Sequence, residues 1–211
     1  MFRAFQTRRV VKCSLYLMGL FVFSTFLYIY KSNHETDILL DLVSFSRLLF
    51  EHVIFLFLLV PVMMTPFLSP MFFVRFNKGE LKEFIYSNIL KSSFIYTGGM
   101  MASYVLLEWV LKGIFPFWFS IAYAFSILLL FSFLYYEVLI WCYLMSNQYG
   151  YSLFIFPGIC FVGRALIQLA YATHQLTFLT FIENHLLMLL IVLNLVMFVS
   201  INRLVSKKEI L

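Results

Sequence analysis

Residues 113–163 read GIFPFWFSIAYAFSILLLFSFLYYEVLIWCYLMSNQYGYSLFIFPGICFVG and contain one charged side chain, Glu137. A membrane-spanning helix needs about 20 apolar residues, so this stretch is too long for one span. The polar cluster SNQYG at 146–150 interrupts it and is typical of a tight turn. The stretch therefore predicts two apolar helices joined by a short turn.

The composition of the whole chain also favours a membrane location. Of its 211 residues, 63% are hydrophobic, 20% aromatic and 12% charged, and the mean hydropathy is +0.95. A soluble domain of this size has about a quarter charged and about half apolar residues. The excess apolar surface must face lipid, which predicts an integral membrane protein. The composition excludes a disulfide scaffold, a disordered protein and a sizeable water-soluble catalytic domain.

Charge-free stretches divide the chain into about six predicted spans, which gives an all-α, polytopic membrane protein with a single transmembrane domain over 1–211. The predicted spans are near 11–30, 50–74, 94–112, 117–145, 151–172 and 185–203. Residues 165–182 leave two alternatives open, because they either complete the fifth helix or dip back into the outer leaflet.

The distribution of basic residues sets the orientation of these spans. Eleven fall on the side of both termini, namely Arg3, Arg8, Arg9, Lys12, Arg75, Lys78, Lys82, Lys91, Arg203, Lys207 and Lys208. Three fall on the other side, Lys31, Arg47 and Lys112, together with the acidic residues Glu35, Asp37, Asp41, Glu51, Glu108 and Glu183. Both termini are therefore predicted to be cytoplasmic, in a cell membrane. The net charge of +5 follows from this topology, so membrane lipid is expected as a partner and nucleic acid is not.

The segment 75–91, RFNKGELKEFIYSNILK, is the most informative polar stretch. Asn77 and Glu80 have the spacing of a capping box, and the apolar residues that follow share one helical face. The pattern predicts a short amphipathic helix over 77–91 that lies along the cytoplasmic membrane surface between the second and third spans. It is either an ordinary connector or a docking element for a cytoplasmic partner. The candidate docking residues are Arg75, Lys78, Glu80, Leu81, Lys82, Glu83 and Phe84.

Two charged residues fall within predicted spans, Glu137 in the fourth and Arg164 in the fifth. Charges inside a membrane are costly and usually face the bundle interior or a polar cavity. Both residues are therefore candidates for a transport path. The alternatives are a structural pair between them, or snorkelling of Arg164 to the outer headgroups.

All four histidines map to the outer side, and two of them lie beside an acidic residue. Grouped histidines and carboxylates can bind a metal, and the candidate set is Glu51, His52, His174 and His185. No HExxH motif is present, and the spacing suits no ligand set on a single helix. Interfacial polar residues are the favoured interpretation of all four histidines, and no metal is expected.

Motifs for catalysis are missing from the sequence. It has no GxxxxGK[ST] phosphate loop, no GxSxG nucleophile elbow and no paired glutamates within one span. The chain is therefore not expected to be an enzyme or to bind a cofactor of its own.

Together, the basic N-terminal segment, the six predicted spans with both termini inside and the amphipathic helix entered through FVRF at 73–76 resemble a known family. The chain resembles the membrane (permease) subunit of type-2 ABC exporters, of the small six-span kind found in bacteriocin, peptide and antibiotic-resistance transporters. The resemblance implies that residues 75–91 are a coupling helix seated in a cleft of a separate cytoplasmic ATPase, which binds ATP and Mg²⁺. It also implies a second permease chain, identical or different, and export of a hydrophobic peptide or a lipid-like or antibiotic substrate. Residues 165–184 would match the outer re-entrant helices of this family.

Two other functions stay open at this point. The substrate-binding subunit of a vitamin importer also has about six spans, but it would not need the amphipathic helix. A membrane-embedded, metal-dependent peptidase or transferase would use the outer histidines and glutamates, and single changes there would abolish its activity.

Overall fold

The structure is a computed structural model that describes residues 43–44, 47–63, 78–113, 116–146, 149–172 and 176–207, with single positions between 12 and 22. Nearly all of these residues are helical, and no β-strand occurs among them. A π-helical turn (Leu48–His52) leads into α1 (Val53–Met63). The other helices within the described ranges are α2 (Lys78–Lys112), α3 (Trp118–Ser146), α4 (Tyr149–Ala172), α5 (Leu176–Asn184) and α6 (Leu186–Lys207).

Helix α3 is the centre of the fold. Its sequence contains no glycine or proline between Trp118 and Ser146, so nothing in it interrupts the backbone hydrogen bonds. Most of its side chains between Ala124 and Leu144 are buried, because α2, α4 and α6 all pack against it. The predicted turn near 146–150 agrees with the end of α3 at Ser146 and the start of α4 at Tyr149.

Helix α2 corrects the prediction of a separate surface helix over 77–91. Residues 78–112 form one continuous helix, so the predicted amphipathic helix and the predicted third span are parts of the same element. The reason is that one buried stripe runs along the whole helix at intervals of three or four residues. This stripe comprises Leu81, Ile85, Ile89, Ser92, Ser93, Tyr96, Met100, Ser103, Tyr104 and Leu107. The helix ends where Gly113 takes a φ of 65° and its N–H bonds to the carbonyl of Trp109, at 3.0 Å.

Two of the described helices, α3 and α6, are long and apolar enough to cross a membrane. They differ in burial, because 72% of the most apolar window of α3 is buried inside the fold but only 17% of that of α6. The apolar sequence of α3 could be that of a helix in the core of a soluble protein, because α3 is mostly buried. The apolar side chains of α6 are mostly exposed, so the same explanation does not hold for α6. The arrangement with six spans stays a prediction, since the segment 11–30 and residues 64–77, which include Arg75, lie outside the described ranges apart from single positions.

The stretch 165–182 combines parts of two helices. Its beginning completes α4, which runs through Pro157 to Ala172, and its end belongs to the separate short helix α5. The predicted last span, 185–203, agrees with α6 at its start, and the helix continues to Lys207.

The relative direction of the helices follows from three contacts with α6. Lys78 bonds to Ser206 and Tyr86 bonds to Phe198, so α2 and α6 are antiparallel. Asn194 bonds to the carbonyl of Leu130, and further along both helices Glu137 and Phe198 both lie near Tyr86, so α3 and α6 run parallel. The first turns of α2 and the last turns of α6 therefore lie at the same end of the bundle.

Candidate functional site

Six of the seven candidate docking residues, from Lys78 to Phe84, lie in the first two turns of α2, and Arg75 lies outside the described residues. Leu81 is 2% exposed and packs in the core, and Phe84 is half-buried against the same core. Lys78, Glu80 and Glu83 are exposed. Glu80 lies in the first turn, where an acidic side chain interacts favourably with the positive end of the helix dipole. The segment thus has a charged outer surface on an apolar base that is fixed in the bundle.

Two lysines of this segment join α2 to the C-terminal end of α6. Lys78 Nζ donates to the carbonyl of Ser206 at 2.8 Å, and Lys82 Nζ donates to Ser206 Oγ at 3.1 Å. The last carbonyls of a helix have no partner within the helix and carry the negative end of its dipole. The lysines therefore stabilise the end of α6, and they hold the two helix ends together.

A cleft of about 380 Å³ lies at this junction, and we call it the basic cleft. Its lining is Lys82, Phe198, Val199, Asn202, Arg203, Ser206 and Lys207. None of these residues is acidic, so the cleft presents positive charge beside the exposed carboxylates of α2. The sequence pattern did not place α6 in the docking site. In the sequence, the basic residues at the end of α6, Arg203 and Lys207, indicated only the orientation of the helices in the membrane.

Tyr86 ties the docking segment to α6 one turn further along. Its hydroxyl donates to the carbonyl of Phe198 at 3.3 Å, and the two rings lie 4.9 Å apart. Burial, and to a smaller extent the carboxylate of Glu137, raise the pKa of the Tyr86 hydroxyl above its usual value. A tyrosine hydroxyl already carries its proton at neutral pH, so it acts as the donor to the carbonyl of Phe198.

The structure does not bring Glu137 and Arg164 together. Glu137 is 3% exposed and lies between α3 and α6, where it lines a second cavity. Arg164 lies on α4, with its guanidinium carbon 4.2 Å from the centre of the Phe50 ring. A cation over an aromatic face is an attractive interaction, so Arg164 has a partner in the π-helical turn. The prediction that Glu137 and Arg164 form a structural ion pair is therefore wrong.

Among the described residues, Glu51, His52 and His185 do not form a metal-binding group. His52 is fully buried, and its Nδ1 shares a hydrogen bond with the hydroxyl of Tyr96, so its side chain lies in the protein core. His185 is exposed, and its Nδ1 donates to the carbonyl of Phe181 at 2.9 Å. His174 lies outside the described residues.

The side chain of Glu51 is paired with Arg47 at 4.0 Å. Within the described ranges, no three histidine, cysteine, aspartate or glutamate side chains lie close enough to hold a metal ion. No known protein family, curated protein or solved structure matches the chain. The contacts of α2 with α6 and the buried carboxylate of Glu137 are therefore the two features on which a function can be argued.

Proposed function

We propose that the chain is the membrane (permease) subunit of an ATP-driven exporter of the type-2 ABC class, in which a separate subunit hydrolyses ATP. One observation carries the proposal, which is the amphipathic beginning of α2. Its charged side is exposed, while its apolar side is fixed in the helical core. A charged surface on a firmly anchored helix suits a cytoplasmic partner that must transmit movement to the membrane.

The exposed apolar surface supports a multi-pass membrane location. Helices α4 and α6 both expose large apolar side chains along their length, among them Phe154, Ile159 and Leu166 on α4 and Met188, Leu195 and Val196 on α6. Contiguous apolar surface on this scale marks a membrane or protein contact. Lys78, Lys82, Arg203 and Lys207 lie together at one end of the bundle, which suits a cytoplasmic position for that end under the positive-inside rule. We infer six spans with both termini in the cytoplasm.

The contacts of α2 support a mechanism of coupling. When the ATPase subunits close on ATP, they would push on the exposed face of the first turns of α2. The helix continues for 35 residues, so the push would reach about 52 Å along the bundle. Two permease chains, identical or different, would line the path of a hydrophobic peptide or a lipid-like or antibiotic substrate, and ATP and Mg²⁺ would stay with the partner.

The first experiment is affinity purification of the full chain in mild detergent, followed by mass spectrometry of the proteins that co-purify. We expect an ATPase in stoichiometric amount with the wild-type chain and its loss with Glu83→Arg, which reverses an exposed charge of the docking surface. The matched control is Glu183→Arg, which makes the same change at an exposed position of α5. Leu81→Asp is unsuitable for this purpose, because Leu81 is buried and the variant would report on folding.

Two outcomes would overturn the proposal. One is a wild-type chain that purifies without any nucleotide-binding subunit. The other is an ATPase that co-purifies equally well with Glu83→Arg and Glu183→Arg, which would place its docking surface elsewhere on the chain.

A further inference from the structure

Three basic side chains meet in the basic cleft. Arg203 and Lys207 are one helical turn apart on α6, so they lie on the same side of that helix. Lys82 reaches the same turn from α2, because its Nζ lies 3.1 Å from Ser206 Oγ. Like charges placed side by side repel each other, so an anion bound between these cations would stabilise the junction of α2 and α6.

The described part of the chain supplies no such anion. None of the residues that line the cleft is acidic, and no described carboxylate forms an ion pair with Lys82, Arg203 or Lys207. The hydroxyl of Ser206 is already in use, since it accepts from Lys82 and donates to the carbonyl of Asn202 at 2.8 Å. The side chains of Arg203 and Lys207 are exposed, so their N–H donors can reach a phosphate, whose oxygens accept several hydrogen bonds at once.

Exposed apolar surface borders the basic cleft on one side. Phe198 and Val199 line the cleft and are exposed, and so are Leu195 and Val196, which lie one turn earlier on α6. Phe198 also lines the second cavity, between α3 and α6, whose other lining residues are mostly apolar. Along a single helix, apolar surface therefore leads directly to the cluster of positive charge that begins at Arg203.

Among the anions that the cations would attract, a lipid headgroup fits both surfaces. A soluble phosphate would use the basic side chains but not the apolar border. A zwitterionic phospholipid would match the apolar border, but its headgroup carries a cation of its own, which the three basic residues repel. A second copy of the chain in the same orientation would bring the same basic residues to this level of the membrane. An anionic phospholipid joins a phosphate to acyl chains, so it complements the cations and the apolar border together.

We propose that the basic cleft binds the headgroup of an anionic phospholipid from the cytoplasmic leaflet. Arg203 and Lys207 would donate to the phosphate oxygens, and Lys82 would add a third positive charge. An acyl chain would lie against Phe198 and the exposed apolar side chains that precede it on α6. Basic pockets between helices on the cytoplasmic side of a membrane are suited to such headgroups. The proposal rests on the part of the proposed function that places this end of the bundle in the cytoplasm, and not on the ATPase.

The test measures lipid binding to the full chain, purified alone in detergent, by native mass spectrometry. The probes are dioleoylphosphatidylglycerol and dioleoylphosphatidylcholine, which share their acyl chains and differ in the charge of the headgroup. We expect the wild type to prefer the first phosphatidylglycerol by about tenfold or more, since each cation beside an anionic lipid contributes about fivefold. The double variant Arg203→Gln/Lys207→Gln should lower that preference by about tenfold or more, because two of the three cations are lost.

Two controls separate the loss of this site from a general loss of charge or of folding. Lys12→Gln/Lys91→Gln removes the same charge at two exposed positions outside the cleft, so it should keep the wild-type preference. Arg203→Lys/Lys207→Arg keeps both charges in the cleft and should also keep it. Added phosphatidylglycerol should raise the thermal unfolding midpoint of the wild type more than that of Arg203→Gln/Lys207→Gln, and without lipid the two midpoints should agree, because both side chains are exposed.

Four results would overturn the proposal. Equal binding of the two lipids to the wild type would show an apolar surface that does not select for charge. A preference that survives in Arg203→Gln/Lys207→Gln would place the lipid elsewhere on the chain. Displacement of phosphatidylglycerol by inorganic phosphate would show a site for a free phosphate. Equal lipid binding together with loss of a co-purifying ATPase in the double variant would assign the cleft to the docking surface.

Failure of the exporter is a separate outcome. A preference for phosphatidylglycerol without any co-purifying ATPase would leave the lipid site standing and remove the exporter. A co-purifying ATPase without such a preference would do the opposite.

Discussion

A pair of spin labels on α2 tests whether the docking surface and the rest of the helix form one rigid element. Glu83 and Leu106 are both exposed, and both lie within the helix Lys78–Lys112. With a rise of 1.5 Å per residue, their Cα atoms lie about 35 Å apart. If 77–91 were instead a surface helix at a right angle to the span, the two arms would be about 14 and 21 Å, and the separation would be about 25 Å.

Double electron–electron resonance in nanodiscs distinguishes these distances. The labels are attached to Glu83→Cys and Leu106→Cys in a background in which the three native cysteines are replaced by alanine. The matched control pair is Phe94→Cys and Val110→Cys, whose exposed positions should lie about 24 Å apart in either arrangement. A distribution centred near 25 Å for the first pair, with the control unchanged, would refute the continuous helix and with it the proposed transmission along α2.

Three further predictions concern stability and topology. Tyr86→Phe removes a hydrogen bond to Phe198, so we expect a loss of about 1 kcal/mol and faster amide exchange in the last turns of α6; unchanged exchange would contradict the link. His52→Phe leaves the buried hydroxyl of Tyr96 without this partner, so we expect a loss of about 1–3 kcal/mol in detergent unfolding, and an unchanged midpoint would contradict it. A C-terminal fusion should fluoresce with green fluorescent protein and be inactive with alkaline phosphatase, and the opposite pattern would reverse the proposed topology.

The periodicity of the apolar residues predicted which segments are helical, but it did not predict where one helix ends and the next begins. The apolar face of the docking segment was recognisable because Leu81, Ile85 and Ile89 repeat at the period of a helix, and they are buried. The sequence KSS at 91–93 is typical of a helix boundary, since serine favours caps and turns. The helix passes through it because Ser92 and Ser93 fall on the buried stripe. Tertiary packing, and not the helix propensity of the serines, therefore explains why α2 continues through residues 91–93.

Contacts between segments that are far apart in the sequence could not be predicted from the sequence alone. Lys78 and Lys82 meet Ser206 across more than 120 residues, so no local pattern could add α6 to the docking surface. His52 was assigned to an interface because it maps to the outer side and no metal motif is present, whereas its partner Tyr96, in the core, is 44 residues away in the sequence. Glu137 was recognised as a costly charge, whereas its neighbour Asn194 was not, since a single asparagine in an apolar helix carries no periodic signal.

Phe198 connects the two candidate sites on α6. Its side chain lines both the basic cleft and the second cavity, between α3 and α6, which Glu137 also lines. Its ring lies against that of Tyr86, and its carbonyl accepts the Tyr86 hydroxyl. A displacement of the first turns of α2 would therefore reach this cavity through one side chain.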